Sequence, residues 1–325
     1  MKWLGVLIMI ILVLAVAYFF SPLFDGIIMG MAFAYAAKPI KNKLKNIPFS
    51  SLFATLIIVI PVFFLLFYGV YTGISQAIYV LTHLKEYQQY FAETLEKHGI
   101  KIDERIHSYI ESIFNYLQNR LSGSAVELTT GAVLILLNFL ISAIVCYYFL
   151  TSSEHIFSRV VYIVPEERRE DLKKFIFEVD KTLTSLWFGN FVFALLMGLA
   201  SLPFFIIFKV PFAPLLSALM FLAALIPVFA EWMVILPVGV YLILKDLWTG
   251  VTFLIIGVIF FYMIPELFIR PYFVGTRAKI HPVLLMLAFI GGGLVAGIKG
   301  FFLAPIVVAI VVTTFNYVTS NVKQS

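Results

Sequence analysis

Two charged residues stand alone in the most apolar parts of this 325-residue sequence. Glu231 is the single charge within residues 213–244, and Lys299 is the single charge within residues 282–319. An ionised group in hydrocarbon costs several kcal/mol unless a partner, a watery cavity or a substrate receives it. The pattern predicts a substrate, ion or proton site at these residues, or a pair between them. The alternative is that one or both reach the membrane surface and stay hydrated.

The composition indicates an all-α integral membrane protein, a multispanning helical bundle in contact with the lipid bilayer. Hydrophobic residues make up 62% of the chain and charged residues 13%, with a mean hydropathy of +1.01, whereas soluble domains have about 25% charged residues. The formal net charge of +5 does not suggest nucleic acid, because Lys and Arg in a membrane protein report loop placement. Cys146 is the single cysteine, so it has no internal disulfide partner.

Apolar runs predict spans at 3–20, 23–37, 51–75, 129–150, 185–208 and 250–269, since about 20 apolar residues cross a bilayer. They divide the chain into N-terminal spans (1–75), an extracytoplasmic amphipathic helical region (76–128), a fourth span (129–150), a cytoplasmic amphipathic helix (151–184) and a C-terminal membrane region (185–325). The short loop after the second run contains Lys38, Lys41, Lys43 and Lys45 and no acid. This loop predicts a cytoplasmic N-terminus in the cytoplasmic membrane. The first run is longer than the apolar part of a signal peptide, so we expect it to remain as a span.

Two apolar segments, 213–244 and 282–319, are too long for simple spans. The first would form a helix of about 48 Å, against a hydrocarbon thickness of about 30 Å. Both contain residues that interrupt helices or allow close approach. These candidate breaks or hinges are Pro227, Pro237, Gly292, Gly293, Gly297, Gly300 and Pro305. We expect two discontinuous helices or re-entrant hairpins; a division of one segment into two short spans is the alternative.

The charges of the loop 270–281 favour hairpins. This loop contains Arg270, Arg277 and Lys279 and no acid. A single crossing by 213–244 would place these basic residues outside, against the positive-inside rule. A hairpin that opens outward places them in the cytoplasm, and by the same count 282–319 opens inward.

The two long segments share a spacing that suggests an inverted repeat. Pro214 precedes Pro237 by 23 positions and Glu231 by 17, and Pro282 precedes Pro305 by 23 and Lys299 by 17. Similar hairpins that enter from opposite faces and meet at mid-membrane are typical of transport sites.

Three further residues are candidates for a substrate or ion site. Glu266 and Arg270 are four positions apart near the end of the 250–269 run, a spacing that favours a local ion pair. Asn190 lies early in the 185–208 run, where it either faces a pathway or joins two helices. The HExxH, GxSxG and P-loop motifs do not occur in the sequence, which predicts neither an enzyme nor drive by ATP. We expect no metal and no cofactor, other than a coupling ion, Na⁺ or H⁺.

Residues 266–306 resemble the C-terminal signature of the autoinducer-2 exporter family of PerM-like permeases. The matching residues are Glu266, Arg270-Pro271, His281-Pro282, Gly292-Gly293, Gly297, Gly300 and Pro305. Upstream, Gly189-Asn190 and Ile226-Pro227 are similar to family elements, although Ala230 stands where the family has glycine. The likeness extends over nearly the whole chain in layout and is specific from about 185 to 319.

The resemblance implies a secondary transporter that assembles as a homo-oligomer, with a pentamer as the expected assembly. It links the chain to export of autoinducer-2 or to sodium or lithium/proton antiport, and so to a small polar solute or a cation. In an antiporter, Glu231 and Glu266 would exchange a proton for a cation. For a neutral solute, the hairpin backbone and Asn190 would supply hydrogen bonds. A channel, or a membrane scaffold that binds partners through 76–128, remains an alternative.

Overall fold

The computed structural model describes residues 18–83, 125–227, 231–269 and 280–322, with a few separate residues before 16 and between 86 and 116. The predicted first span (3–20) and the region 76–128 fall largely outside these ranges. The elements in chain order are a 3₁₀ turn (Ser21–Leu23), α1 (Phe24–Lys43), α2 (Ser50–Thr82), α3 (Ala125–Ile163), α4 (Glu166–Ile207), α5 (Ala213–Leu225), α6 (Trp232–Lys245), α7 (Leu247–Val258), two π-helical turns (Ile259–Met263 and Pro265–Ile269) and α8 (Pro282–Val322). Every regular element in the described ranges is helical, so the all-α class is confirmed.

Five stretches within the described residues are long and apolar enough to cross a membrane. They are Tyr18–Lys43, Ser50–Gln76, Val133–Arg159, Glu166–Ile207 and Pro282–Tyr317. The apolar helices Ala213–Leu225, Trp232–Lys245 and Leu247–Met263 are shorter. At 1.5 Å per residue, a helix of 13 or 14 residues covers only about 20 Å of a hydrocarbon layer of about 30 Å.

The helices α3 and α4 extend well beyond the thickness of a bilayer. They contain 39 and 42 residues, or about 58 and 63 Å. The residues predicted as an amphipathic helix (151–184) do not form a separate element: residues 151–163 continue α3, and residues 166–184 begin α4. Pro165, in an extended conformation, separates the two helices, and Glu166 and Glu167 occupy the first turn of α4, where the helix dipole favours acids.

Polar contacts fix the basic end of α1 against both long helices. The Lys38 ammonium lies 2.5 Å from the Asp180 carboxylate of α4. The Lys41 ammonium donates to the Leu150 carbonyl of α3 at 2.5 Å. The lysines that mark the predicted cytoplasmic loop therefore lie at the same end of the bundle as the charged beginning of α4.

A cluster of phenylalanines joins four helices in the centre of the bundle. Phe33 of α1 is buried, and its ring centroid lies 6.1 Å from Phe139 of α3, 5.4 Å from Phe191 of α4 and 6.2 Å from Phe302 of α8. All three pairs meet edge to face, a favourable arrangement for aromatic rings.

The beginning of α1 is fixed to α3 by Asn138. The buried Asn138 Oδ1 accepts from the Gly26 amide at 2.7 Å, and its Nδ2 donates to the Pro22 carbonyl at 3.0 Å. Gly26 and Gly30 have no side chain at the contact, which lets the two backbones touch: a methyl group on either would clash with a carbonyl oxygen of α3, that of Asn138 or Ser142 respectively. This is the small-residue packing expected between membrane helices.

We predict that Gly26→Ala lowers the thermal stability of the purified protein, because the added methyl group would overlap the Asn138 carbonyl. Overpacking of this kind costs about 1–3 kcal/mol. Gly131→Ala is the matched control, since a methyl group there meets no atom within 4 Å. Thermal unfolding in detergent, followed by size-exclusion chromatography, compares the two variants. Equal melting temperatures for both would contradict the close contact between α1 and α3.

Candidate functional site

The first long segment is interrupted between α5 and α6. The helix α5 ends at Leu225, Ile226 is extended (φ −88°, ψ 119°), and α6 begins at Trp232. Pro227 lies buried in the turn that follows Ile226. Glu231 is the N-cap residue of α6 and is 2% exposed. Its backbone thus lies at the positive end of a helix dipole, where a negative charge is stabilised.

Glu231 faces the part of the chain where α7 becomes π-helical. A cleft of about 10 Å³ lies between Glu231 and a wall that includes Gly257, Phe261 and Tyr262. That volume admits about one water molecule, so it suits a water or a bare cation rather than an organic solute. The turns Ile259–Met263 and Pro265–Ile269 are π-helical, a distortion that is frequent at functional sites.

The helices on either side of the first break pack against different neighbours. The helix α5 packs on α2, and α6 packs on α7, which in turn contacts the C-terminal end of α4. The side chains of Ala218 and Leu215 in α5 pack against Gly69 and Gly73 of α2. The helix α6 pairs with α7, as Gly239 contacts Leu254. The aromatic ring of Phe253 in α7 lies 4.9 Å from Phe204, 6.2 Å from Phe205 and 5.2 Å from Phe208, at the end of α4.

The second long segment, α8, is broken at Ala296 (φ −137°, ψ 20°) and Gly297 (φ 60°, ψ −140°). Residues 282–295 form its first arm and residues 298–322 its second arm. In a straight helix, Gly292 and Gly300 would be about 12 Å apart. Instead, a methyl group on either glycine would clash with the carbonyl oxygen of the other. The rings of Phe289 and Phe301 are also 4.9 Å apart, so the arms fold back on each other, although length and hydropathy alone fit one span.

Only some of the residues predicted as breaks or hinges lie at an interruption of a helix in the structure. Gly297 is at the break, with a positive φ that favours glycine. Gly292 and Gly300 lie in the arms, where they allow close backbone contact. A methyl group on Gly293 would lie 3.7 Å from the Phe301 ring, an ordinary contact. Pro237 lies inside α6 and Pro305 inside the second arm, so neither is a break. A membrane helix tolerates an internal proline when neighbouring groups satisfy the freed carbonyl.

The backbone of Lys299 contacts α1 in the structure. Its backbone amide donates to Asp25 Oδ1 at 3.1 Å. Among the ion pairs between described residues, none joins Lys299 to Glu231. Asp25 is not predictable as a site residue from the sequence, where its only signal is an acid at the beginning of an apolar run.

Buried polar groups line the part of α4 between the two broken segments. Thr184, Trp187 and Asn190, which we call the polar strip, recur at intervals of three. Asn190 is 1% exposed, and neither of its amide atoms has a hydrogen-bond partner in the described part of the chain. The same holds for Thr184 Oγ1 and Trp187 Nε1.

The polar strip lies between α5 and α8. The Trp187 ring stacks on Phe302 of the second arm at 5.5 Å and meets Phe289 of the first arm at 6.0 Å. One residue beyond Asn190, Phe191 meets Phe221 of α5 at 5.7 Å. Asn190 thus lies on the helix that separates the two breaks.

Comparison with known proteins assigns the family. Residues 7–320 match the model of the AI-2E family transporters. The chain belongs to the AI-2E transporter family. The predicted family resemblance is thereby confirmed, and with it a transporter class and a multi-pass membrane protein.

Relatives of the chain are similar over most of their length. A predicted transport protein of Archaeoglobus fulgidus is 53% identical over 319 residues, 97% of this chain and 94% of the relative. A predicted transport protein of Methanocaldococcus jannaschii is 27% identical over 315 residues, 94% and 91% of the two chains. The predicted transport protein YrrI of Bacillus subtilis is 24% identical over 292 residues, 87% and 82%.

Glu266 and Arg270, the charged pair of the predicted family signature, lie around the end of the 250–269 run in the sequence. Glu266 lies in the turn Pro265–Ile269, but its side chain and the whole of Arg270 lie outside the described residues. The predicted ion pair between them stays a prediction. In backbone position, Glu266 follows the wall of the Glu231 cleft by one turn.

We predict that Gly292→Ala disrupts the folded-back α8 of this AI-2E transporter and that Gly293→Ala is tolerated. The methyl group at Gly292 would overlap the Gly300 carbonyl, whereas at Gly293 it makes only ordinary contacts. We expect Gly292→Ala to lower stability by about 1–3 kcal/mol, measured as the melting temperature in detergent. A larger fall in melting temperature for Gly293→Ala than for Gly292→Ala would contradict the close contact between the two arms.

Proposed function

We propose that the chain is a secondary transporter that moves a small polar solute or a cation across the cytoplasmic membrane. Its site lies between the two broken segments, around the middle of α4. The observation that carries the proposal is that breaks in two apolar segments flank a helix whose buried Asn190 amide has no partner among the described residues. Broken helices of this kind supply backbone ligands at transport sites.

The packing supports a pair of re-entrant hairpins that enter from opposite faces. The helix α5 begins five residues after Phe208, which lies at the C-terminal end of α4. The helix α6 packs on α7 through Gly239 and Leu254, and Phe253 of α7 contacts Phe208. The base of α8 lies at the other end, where Tyr317 donates to the Asp171 carbonyl at 3.2 Å and Thr313 donates to Thr182 at 3.2 Å. This arrangement agrees with an inverted repeat, with the lysines of α1 on the cytoplasmic side.

Two parts of the site suit different transported species. The polar strip offers an amide, an indole N–H and a hydroxyl without a charge, which suits a neutral solute such as an autoinducer-2-type molecule. Glu231 and its one-water cleft suit a proton or a sodium or lithium ion. A neutral solute coupled to Na⁺ or H⁺, or a cation/proton antiport, would use these groups, and Glu266 would join Glu231 in the second case.

The transport cycle requires one part to move against another. The α1–α3 pair has backbone contacts at Gly26 and Gly30, which makes it the fixed part, and the hairpins are the moving parts. A homo-oligomer, expected to be a pentamer, would hold the fixed part in the bilayer. The chain has many exposed apolar side chains that would contact lipid or a second copy, such as Phe64 and Tyr71 of α2 and Val133 of α3.

We predict that Glu231→Gln lowers gradient-driven flux in proteoliposomes at least about tenfold, which corresponds to about 1.4 kcal/mol. The amide keeps the shape of the side chain but cannot exchange a proton or hold a cation by charge. Flux is followed with an entrapped pH-sensitive dye under a sodium gradient, and in parallel with a labelled neutral polyol.

The matched control for this variant is Glu170→Gln, an exposed carboxylate on the charged part of α4 whose pKa is lowered by its hydrogen bond with Lys173. Wild-type flux should persist in the control, and size-exclusion profiles should match for all three proteins. Normal flux by Glu231→Gln across the pH range would make this carboxylate structural. Absence of any wild-type flux would refute the transporter proposal for these probes.

A second variant separates function from folding at Asn190. We predict that Asn190→Leu lowers flux while stability stays equal or rises by about 1–3 kcal/mol, because the variant removes a buried amide that lacks partners among the described residues. Melting temperature and flux are measured on the same preparation. A fall in stability together with flux would indicate instead that Asn190 holds helices together.

A further inference from the structure

The break in α8 creates a helix beginning that no described side chain of α8 itself caps. The first amides of a helix lack acceptors within it, and a side chain at the N-cap normally accepts from the second or third of them. Gly297 precedes the second arm and has no side chain. Asp25 accepts from the Lys299 amide instead, although it lies 274 positions away in the sequence.

Asp25 is held firmly in place. The next residue, Gly26, donates to Asn138 Oδ1 at 2.7 Å, and the preceding turn is bound through the Pro22 carbonyl. Its carboxylate meets the positive end of the second arm, and hydrogen bonds with one charged partner are about twice as strong as neutral ones.

Besides the hydrogen bond between the Lys299 amide and Asp25, the tip of α8 (residues 294–299) has little packing. Leu294 is 84% exposed and Val295 is 88% exposed. A methyl group on Gly297 would meet no atom within 4 Å. Below the tip, the arms cover Trp187 of the polar strip through Phe289 and Phe302.

Charges near Asp25 are few on the elements packed around it. The helix α8 brings Lys299, the single charge within 282–319. The helix α2, residues 131–142 of α3 and residues 185–207 of α4 contain no charged residue. The lysines of α1 begin at Lys38, 13 residues or about 20 Å away.

We propose that Asp25 is the positioning residue that docks the tip of α8 on α1 and thereby keeps the polar strip covered. This inference rests on the proposed function, because it assigns Asp25 control over access to the same site. Loss of the carboxylate undocks the tip, since the uncapped amides and the exposed apolar residues give it no comparable attachment.

The test uses Asp25→Ala and Asp25→Asn in the full chain. Hydrogen–deuterium exchange of peptides that contain Lys299 reports the cap directly, and we expect exchange about tenfold faster in Asp25→Ala. A cysteine reporter, Thr184→Cys in a Cys146→Ala background, reports the cover over the polar strip through its rate of reaction with a small maleimide. This rate should rise about tenfold in Asp25→Ala and less in Asp25→Asn, which keeps an acceptor oxygen and guards against misfolding of the alanine variant.

Asp246→Ala is the matched control. Asp246 caps α7 by accepting from the Thr249 amide at 2.8 Å. Its loss should speed exchange in α7 and leave the maleimide rate of Thr184→Cys unchanged. Unchanged exchange at Lys299, or an unchanged maleimide rate, in both Asp25 variants would overturn the proposal. Flux adds a separate criterion: normal flux in Asp25→Ala, where wild type is active, would also overturn it. Absence of wild-type flux would refute the proposed function, while exchange and labelling would still decide the docking.

Discussion

Every backbone amide and carbonyl inside a hydrocarbon layer needs a partner within the protein. An unbroken helix meets this constraint alone, so each break in an apolar segment commits other residues to receive the groups it frees. At the break at Ala296-Gly297, Asp25 accepts a hydrogen bond from the Lys299 amide. The two arms also approach closely at Gly292 and Gly300, where neither residue has a side chain to separate the backbones.

The same constraint explains why α1, α3 and α4 are connected so firmly. Lys38 with Asp180 and Lys41 with the Leu150 carbonyl hold one end of α1. Asn138 holds the other end through the backbone of Pro22 and Gly26. A carboxylate that must meet one particular amide needs a fixed backbone, because a shift of 1 Å would lengthen a 3.1 Å hydrogen bond beyond the useful range. The rigidity of α1 is therefore a requirement of the broken helix beside it.

The sequence predicted the membrane class, the family and the two interrupted segments, because apolar length and Pro or Gly content act locally. It selected Glu231 and Asn190 as candidate site residues, since each is a lone polar residue in an apolar run, and both are buried in the structure. It could not distinguish Gly297, which lies at a break, from Gly292, which only allows close backbone contact. Both roles require glycine, so the residue type alone does not tell them apart. Asp25 and the strip residues Thr184 and Trp187 were missed, since their roles depend on helices that meet only in the folded chain. The π-helical turn Ile259–Met263, which lies beside Glu231, contains neither proline nor glycine and so has no local signal of that kind.

The structure also changes which residues of the two segments correspond. By spacing, Glu231 aligns with Lys299, yet a carboxylate lies at the beginning of the returning helix in both places. In the first segment Glu231 is itself the N-cap residue of α6; in the second, Asp25 reaches the corresponding position from α1. A positive helix end stabilises negative charge, so each break can hold a carboxylate among apolar neighbours. Glu231 belongs to α6 itself, whereas Asp25 belongs to α1. In the proposed cycle, movement of α8 against α1 would separate its helix end from Asp25, whereas movement of α6 would carry Glu231 along. The two breaks would then respond differently to the same motion, which would give an otherwise similar pair of segments distinct parts in the proposed cycle.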